Sequence, residues 1–230
     1  KIDKSVPITY KDGCHLPFGQ AWPTHECDYG DVNSKTEVVL AGDSHAAQWF
    51  PAVEKIATER KWKLTNLTKS SCPATTLETV RDGKFDSSCA IWQVKVLNLI
   101  AAHKPALVIL SDFTEYKYPL KDSSVTYEKA WKEGLTKFLS SIHTRVLFLG
   151  DTPKPTSAIG SFDLQRSATT KETEKIVLAS HDMYVDTASW LCGKSCPSTY
   201  MATNTYRDST HISVSTALNL KKRLETVIPL

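Results

Sequence analysis

The sequence predicts an α/β protein in which helices cover both faces of a central parallel sheet of about five strands. Two observations lead to this prediction. Short apolar runs rich in Val, Ile and Leu recur along the chain, and helical spacing of apolar residues follows several of them. Strands that alternate with helices form parallel sheets, because each crossover returns the chain to the same end of the sheet. We therefore expect a three-layer α/β/α sandwich.

The predicted elements follow one another in a regular order. The first strand begins at residue 37 and stops at Gly42-Asp43, and the others lie at 63–68, 106–110, 146–149 and 183–186. A helix is predicted from Ser44 onward, with Trp49, Phe50, Val53, Ile56 and Ala57 on one stripe. Further helices are expected at about 89–103, around Trp131 to Ile142, at about 166–180, and from near Ser213 to the end.

The first 36 residues show no strong periodicity and contain Cys14 and Cys27. We interpret residues 1–36 as a disulfide-stapled N-terminal extension that packs on the core. Residues 37–230 then form the main domain, which carries the candidate functional residues.

Composition excludes several classes of function. The chain has 230 residues, of which 41% are hydrophobic and 23% charged, as in ordinary soluble domains. A net charge of +3 is too small to indicate a nucleic-acid partner, because the Lys and Arg residues are scattered. No apolar run approaches the length that crosses a bilayer. Since Lys1 opens the chain without an initiator Met, we expect an excised domain of a larger protein.

The cysteines form an even set of three pairs that are local in sequence: Cys14 with Cys27, Cys72 with Cys89, and Cys192 with Cys196. This pattern predicts three disulfides that close short loops, and hence an oxidising compartment. The alternative is a metal site at Cys14, His15, His25 and Cys27, but this spacing matches no familiar zinc pattern. We therefore predict neither a metal nor a cofactor.

Ser44 lies where the first strand turns into a helix, in the run Gly42-Asp43-Ser44-His45. Backbone N–H groups are free at such a turn and favour negative charge. A serine hydroxyl there can attack a carbonyl if a base lies near it. The alternative interpretation is that Ser44 only caps its helix, since serine is a favoured N-cap residue.

A base for Ser44 is available in Asp208-Ser209-Thr210-His211. A neutral His211 can accept the serine proton, and Asp208 can hold its tautomer. A histidine close to an aspartate in sequence is also a common coincidence, so the pair alone is weak evidence for a catalytic role. Polar residues at Ser71, Ser111-Asp112 and Asp151-Thr152 follow other predicted strands, and we expect all of them to gather with Ser44 at one edge of the sheet.

With these residues the chain resembles the SGNH (GDSL-type) hydrolase superfamily, whose fold is flavodoxin-like. Gly42-Asp43-Ser44-His45 resembles its first sequence block, and Asp208-x-x-His211 its fifth. More narrowly, the chain resembles the SGNH domains fused to bacterial membrane acyltransferases of the acyltransferase-3 type. The segments that carry this resemblance are 40–49, 68–73, 190–197 and 206–213.

The resemblance implies an O-acyltransferase domain outside the cytoplasm, tethered to a transmembrane acyltransferase domain that delivers the acyl donor. The transferred group would be acetyl, and the acceptor a hydroxyl of a cell-envelope glycan or glycolipid. Ser44 would be the nucleophile, His211 the base and Asp208 its orienting group. Two alternatives stay open: an O-acetyl esterase with the same three residues, and a glycan-binding module that has kept the fold but not the chemistry.

The chain departs from the superfamily in the groups that bind the oxyanion. The second-block loop, Lys69-Ser70-Ser71-Cys72-Pro73, contains no Gly, and Ser111-Asp112-Phe113 at the end of the third strand contains no Asn. We expect the backbone of Ser44 and the backbone around Ser71 to supply the donors instead. A Cys72–Cys89 disulfide would hold the Ser71 loop in place.

Overall fold

The computed structural model describes residues 3–81, 83–116, 119–154, 162–178, 183–192 and 198–230. Within these residues, no helix combines the length and the apolar character that spanning a membrane requires.

The strands are β1 (His15–Leu16), β2 (Asp28–Gly30), β3 (Glu37–Gly42), β4 (Lys63–Lys69), β5 (Val80–Arg81), β6 (Lys84–Phe85), β7 (Leu107–Ser111), β8 (Val146–Leu149), β9 (Met183–Val185), β10 (Thr199–Tyr200) and β11 (Thr203–Asn204). The helices are α1 (Ser44–Ala47), α2 (Phe50–Arg60), α3 (Ser87–His103), α4 (Tyr127–Ser140), α5 (Phe162–Leu178), α6 (Ala188–Leu191), α7 (Val214–Asn219) and α8 (Lys221–Val227).

The central sheet confirms the predicted fold class. Its order is β1-β4-β3-β7-β8-β9, and every pairing along this path is parallel. The five predicted strands are β3, β4, β7, β8 and β9. β1 and β2 come from the first 36 residues. Both pair with the outer edge of β4: β1 is parallel to it, and β2 is antiparallel. These two short strands have no apolar alternation, which is why the sequence did not reveal them.

Side chains of the central strands alternate between two cores, one on each face of the sheet. In β3, Val38 and Leu40 pack with α2, α7 and α8, whereas Val39 and Ala41 pack with α3 and α4. The buried tryptophans divide in the same way, with Trp49 on the first face and Trp92 on the second. Strands covered on both faces are mostly apolar, and the apolar runs of β3, β7 and β8 reflect this. β4 is the exception, since it buries Thr65, Asn66, Thr68 and Lys69.

The helix predicted from Ser44 is interrupted. α1 ends at Ala47, and α2 starts again at Phe50 with Pro51 in its first turn. Proline lacks a backbone N–H and its ring clashes with the carbonyl four residues earlier, so a helix cannot run through it undisturbed. The first turn of a new helix tolerates it. The short α1 therefore stands alone at the carboxyl end of β3.

Two disulfides join Cys14 to Cys27 and Cys72 to Cys89. Cys192 is disulfide-bonded as well, and Cys196 lies outside the described residues. Because the sulfurs of Cys14 and Cys27 are bonded to each other, they offer no thiolate to a metal ion. The ring nitrogens of His15 face Thr68 and Ser70 hydroxyls at 3.0 and 2.9 Å. The alternative metal site is therefore not assembled.

The chain passes very close to itself where β3 ends. Gly42 has φ +138°, and a Cβ atom there would lie 2.1 Å from the carbonyl oxygen of Ser111 in the neighbouring β7. Only glycine combines this conformation with this approach. The close contact brings the turn before Ser44 against the end of β7.

Replacement of Gly42 by alanine should therefore destabilise the fold strongly. We expect Gly42→Ala to lower the free energy of unfolding by more than ~2 kcal/mol, since it adds both strain and a backbone clash. Gly19→Ala is the matched control, because Gly19 also has a positive φ (+85°) but no atom within 4 Å of the added methyl group. Its cost should be only roughly 1 kcal/mol. Equal losses in urea unfolding would contradict the role given to the Ser111 contact.

Candidate active site

A cavity of about 450 Å³ opens at the carboxyl ends of the parallel strands, where α/β sheets bind their ligands. It is lined by Ser44, His45, Ser71, Phe113, Glu115, Tyr116, Lys154, Ser209, Thr210 and His211. Loops after β3, β4, β7 and β8 and the loop before α7 all contribute to it. Of the strand-end residues predicted to gather at this edge, Ser44 and Ser71 line the cavity. Asp112, Asp151 and Thr152 lie behind it, in contact with Asp43, His45 and Gln48.

Ser44 is the first residue of α1, and it does not cap that helix. The N-cap is Asp43, whose carboxylate accepts a hydrogen bond from the backbone N–H of His45 at 2.6 Å. The other carboxylate oxygen accepts from the backbone of Phe113 at 2.8 Å and from the Tyr116 hydroxyl. Because Asp43 performs the capping, the hydroxyl of Ser44 is available for another partner.

That partner is His211. The distance between Ser44 Oγ and His211 Nε2 is 2.8 Å, and His211 Nδ1 lies 2.9 Å from both carboxylate oxygens of Asp208. With the proton on Nδ1 directed at Asp208, Nε2 presents a lone pair to the serine hydroxyl. The three residues therefore form a continuous chain from hydroxyl to imidazole to carboxylate.

The loop that carries Asp208 and His211 is rigidly closed. One carboxylate oxygen of Asp208 also accepts from the backbone N–H groups of Thr210 and His211, both at 2.9 Å. The backbone of Arg207 donates to the carbonyl of His211 at 3.0 Å. Such a turn fixes base and carboxylate together as one local unit.

The electrostatic environment keeps this unit in the state needed for proton transfer. Burial lowers the pKa of His211, and its hydrogen bond to Asp208 offsets only part of that effect. Burial acts against the Asp208 carboxylate, but hydrogen bonds from the side chain and backbone of His211 and from Thr210 hold its pKa below the usual value. At neutral pH the imidazole is thus neutral and the carboxylate charged.

Gln48 ties this loop to the nucleophile. Its side-chain oxygen accepts from the backbone N–H of Ile212 at 2.8 Å, and its nitrogen donates to Thr152 Oγ1 at 3.1 Å. Gln48 is the C-cap residue of α1 and is buried. A single amide therefore fixes the spacing between the helix of Ser44, the loop of His211 and the loop after β8.

Asp112 joins two further loops. Its Oδ1 accepts from the backbone of Ala74 at 2.9 Å and from the backbone of Asp43 at 3.3 Å. Burial and the neighbouring Asp43 raise the pKa of Asp112 well above its usual value. This shift favours the uncharged acid, and the two hydrogen bonds to Oδ1 connect the turn before Ser44 to the loop that contains Ser71.

Ser71 lines the cavity, as the sequence predicted. Its backbone adopts the left-handed conformation (φ +55°), which turns the chain sharply after β4. The Cys72–Cys89 disulfide follows directly and anchors the loop to α3. The donors to an oxyanion, for which Ser71 and Ser44 are our candidates, stay a prediction.

Arg207 connects the site to the N-terminal extension. Its guanidinium donates to Asp208 at 3.3 Å and to the Tyr10 hydroxyl at 3.1 Å, and it lies over the Tyr10 ring. Its side chain is only 6% exposed, so it faces the protein rather than the solvent. The extension of residues 1–36 thus supports the loop of His211; its boundary at residue 36 stays a prediction.

Sequence reasoning missed a second histidine–carboxylate pair. His45 Nδ1 lies 2.5 Å from Asp151, and both side chains are buried. The centroid of the His45 ring is 4.7 Å from that of His211. The signal was present, since Asp151 follows β8 at the predicted edge of the sheet, but the sequence does not say which strand-end residues pair.

Comparison with protein families gives one match over nearly the whole chain. The family described as "SGNH domain (fused to AT3 domains)" matches residues 13–226. Comparison with curated protein sequences gives no match.

Several solved structures share the fold. The periplasmic domain of a lipopolysaccharide acetyltransferase from Salmonella ser. Paratyphi A has 17% identity and a TM-score of 0.68, over 86% of either chain. A variant of Axe2, an acetyl-xylooligosaccharide esterase from Geobacillus stearothermophilus, has 14% identity and a TM-score of 0.57, over 87% of this chain and 97% of that one. A carbohydrate esterase family 2 enzyme from Corynascus thermopiles has 12% identity and a TM-score of 0.55, over 85% of this chain and 66% of that one. At these identities the similarity shows the fold.

The neutral state of Asp112 can be tested with two substitutions of similar size. Asp112→Asn keeps an oxygen acceptor without charge, so it should change the free energy of unfolding by less than about 1 kcal/mol. Asp112→Leu removes the acceptor and leaves the N–H groups of Ala74 and Asp43 unpaired, which should cost roughly 2–5 kcal/mol. Urea unfolding measures both. If the asparagine variant were as unstable as the leucine variant, Asp112 would not act as an uncharged acceptor.

Proposed function

The chain belongs to the family of SGNH domains fused to AT3 domains, and on this premise we propose that it is an O-acyltransferase domain that works through an acyl-serine intermediate. The group transferred is acetyl, and the acceptor is a hydroxyl of a cell-envelope glycan or glycolipid. The observation that carries the proposal is the chain of contacts from Ser44 through His211 to Asp208, at 2.8 and 2.9 Å.

In the first half-reaction the acyl donor binds in the cavity beside Ser44. His211 Nε2 takes the proton from Ser44 Oγ as the oxygen attacks the acyl carbon, and the carbonyl oxygen becomes an oxyanion. The tetrahedral intermediate collapses when the imidazolium returns its proton to the departing oxygen of the donor. Acyl-Ser44 remains, with His211 again neutral. Asp208 holds the ring in this orientation and stabilises its charged form.

In the second half-reaction the acceptor takes the place of the donor. Its hydroxyl gives a proton to His211 Nε2 as the oxygen attacks the acyl-serine, and the proton then returns to Ser44 Oγ. The same intermediate reacts with water in an esterase. Transfer and hydrolysis therefore differ in which hydroxyl reaches Nε2, and the residues of the triad are the same for both.

The oxyanion donors in this proposal are the backbone N–H groups of Ser44 and Ser71. Two features support the choice: Ser71 lines the same cavity as Ser44, and its loop is fixed by a disulfide and by the bond of Ala74 to Asp112. Rigid donors matter because loss of one typically costs on the order of 10²–10³ in rate.

We further propose that the chain acts outside the cytoplasm, beside a membrane acyltransferase domain that delivers its donor. The disulfides support the compartment, because such bonds persist in oxidising surroundings. The description of the family supports the partner, since its members are fused to AT3 domains. The lipopolysaccharide acetyltransferase with the same fold suggests lipopolysaccharide as the first acceptor to test.

The test is to follow labelled acetyl from 4-nitrophenyl acetate, with purified lipopolysaccharide or peptidoglycan fragments as acceptors. We expect label on the glycan, detected by mass spectrometry, and a loss on the order of 10⁴-fold or more in Ser44→Ala. Ser87→Ala is the matched control: Ser87 also opens a helix after an Asp N-cap, but it is exposed. It should keep the activity of the parent chain.

Three other outcomes would each replace the proposal. Release of acetate into water at a rate independent of glycan would identify an esterase. Glycan binding without turnover would identify a binding module on this fold. Turnover that survives in Ser44→Ala would mean that another group is the nucleophile.

A further inference from the structure

The mechanism above gives no task to His45, a buried titratable group of the site. It follows Ser44 directly, its ring lines the cavity, and its side chain is 2% exposed. The ring centroid lies 4.7 Å from that of His211 and 4.7 Å from that of Phe113. A buried imidazole so close to the base must influence it, whichever state of protonation it adopts.

The partner of His45 is held as an anion. Asp151 Oδ1 lies 2.5 Å from His45 Nδ1, and Asp151 Oδ2 accepts from the backbone N–H and the hydroxyl of Thr114 at 2.9 and 3.0 Å. A buried carboxylate with three donors is stabilised in its charged form. A positive charge next to this buried anion stabilises it further. His45 is the group in direct contact with it, and Lys171 of α5 also lowers its pKa.

Other charges around His45 favour the same state. Burial opposes the charged ring, but Asp151, Asp43 and Asp208 raise the pKa of His45 above its usual value, and His45 in turn lowers the pKa of Asp151. On the cavity wall Lys154 and Glu115 form an ion pair with each other and add little net charge. The ring of His211 faces that of His45 from the loop before α7, where Arg207 lowers the pKa of His211, and Asp112 accepts a hydrogen bond from the backbone of Asp43. From α5, Lys171 lowers the pKa of Asp151, and Asp151 raises that of Glu174.

We propose that His45 is an imidazolium held by Asp151, and that this fixed positive charge beside Ser44 is a working part of the site. It acts on His211 as a positioning and electrostatic residue, since a positive neighbour disfavours a second proton on the base. Because His45 follows Ser44 and lines the same cavity, its positive charge also stabilises the oxyanion that forms when Ser44 attacks the acyl group. This role rests on the proposed function, because it takes His211 as the base.

The charge of His45 can be measured without any reaction. In the chain labelled with ¹⁵N-histidine, ring resonances followed by NMR over a pH series report the protonation of each histidine. We expect the ring of His45 to be protonated at pH 7 and that of His211 to be neutral. If His45 is neutral at pH 7, the proposal is wrong, whether or not the chain is an enzyme. If His45 is charged but the chain turns over no ester, the proposed function fails instead.

Two substitutions then test what the charge does. His45→Gln removes it, and Asp151→Asn removes the group that holds it. In both variants the pKa of His211 should rise. In a plot of kcat/KM for 4-nitrophenyl acetate against pH, the acidic limb should therefore move to higher pH by roughly one unit or more. The double variant should move the limb no further than either single one, because the pair acts as a unit.

His103→Gln is the matched control, since His103 also pairs with a carboxylate, Glu37 at 3.0 Å, but at the opposite end of β3. It should leave the limb where it is. A fall in rate at all pH values with no displacement of the limb would show that His45 is only structural. If His45→Gln does not fold, the NMR titration of the parent chain decides the question.

Discussion

The Asp43 carboxylate is the group on which the site depends most directly. It is fully buried, yet it joins the turn before Ser44 to the loop after β7 through the backbone of His45, the backbone of Phe113 and the hydroxyl of Tyr116. A buried carboxylate costs several kcal/mol unless hydrogen bonds compensate it, so these donors cannot be lost one at a time without consequence. Because Asp43 also caps α1, the serine that follows it is free to contact His211.

Further polar links make the rest of the site equally rigid. Gln48 bridges α1 to the loop of His211 and to the loop after β8, and Asp112 bridges the turn of Asp43 to the loop of Ser71. Each is a short side chain whose hydrogen bonds span separate loops. Catalysis by an acyl-serine needs such rigidity, because a misplacement of 1 Å can cost a factor of 10² in rate. The parallel sheet brings these loops together at its carboxyl edge, and the side chains of Gln48 and Asp112 fix the distances between the loops.

Much of the fold followed from the sequence, for a clear physical reason. Strands buried on both faces are mostly apolar, and this made β3, β7 and β8 visible. β4 is buried as well but has polar residues between its leucines, and β9 is only partly buried, so these two were predicted from their place in the strand–helix alternation. The short β1 and β2 were not, because a two- or three-residue strand at a sheet edge is held by backbone pairing and leaves no side-chain pattern. The break between α1 and α2 was signalled by Pro51, but the apolar stripe around it concealed the break.

The site was predictable only in part. Ser44, Asp208 and His211 were found because their residue types and spacing suit acyl chemistry, and the edge at which they meet followed from parallel strands. The pairing of His45 with Asp151 and the raised pKa of Asp112 were not visible, because both depend on burial and on contacts between residues 37 to 106 positions apart in sequence. The sequence indicates which polar residues lie at strand ends. Only the structure shows which of them form hydrogen bonds or ion pairs with each other.

The central claim is that Ser44 carries the acyl group, and the most direct test is to find that group there. The chain would be mixed with 4-nitrophenyl acetate without an acceptor, quenched in acid within milliseconds to seconds, digested and analysed by mass spectrometry. Our account predicts acetyl on the peptide that contains Ser44, formed in the parent chain and absent in His211→Ala. Acetyl found only on other residues, or on that peptide equally in His211→Ala, would contradict it.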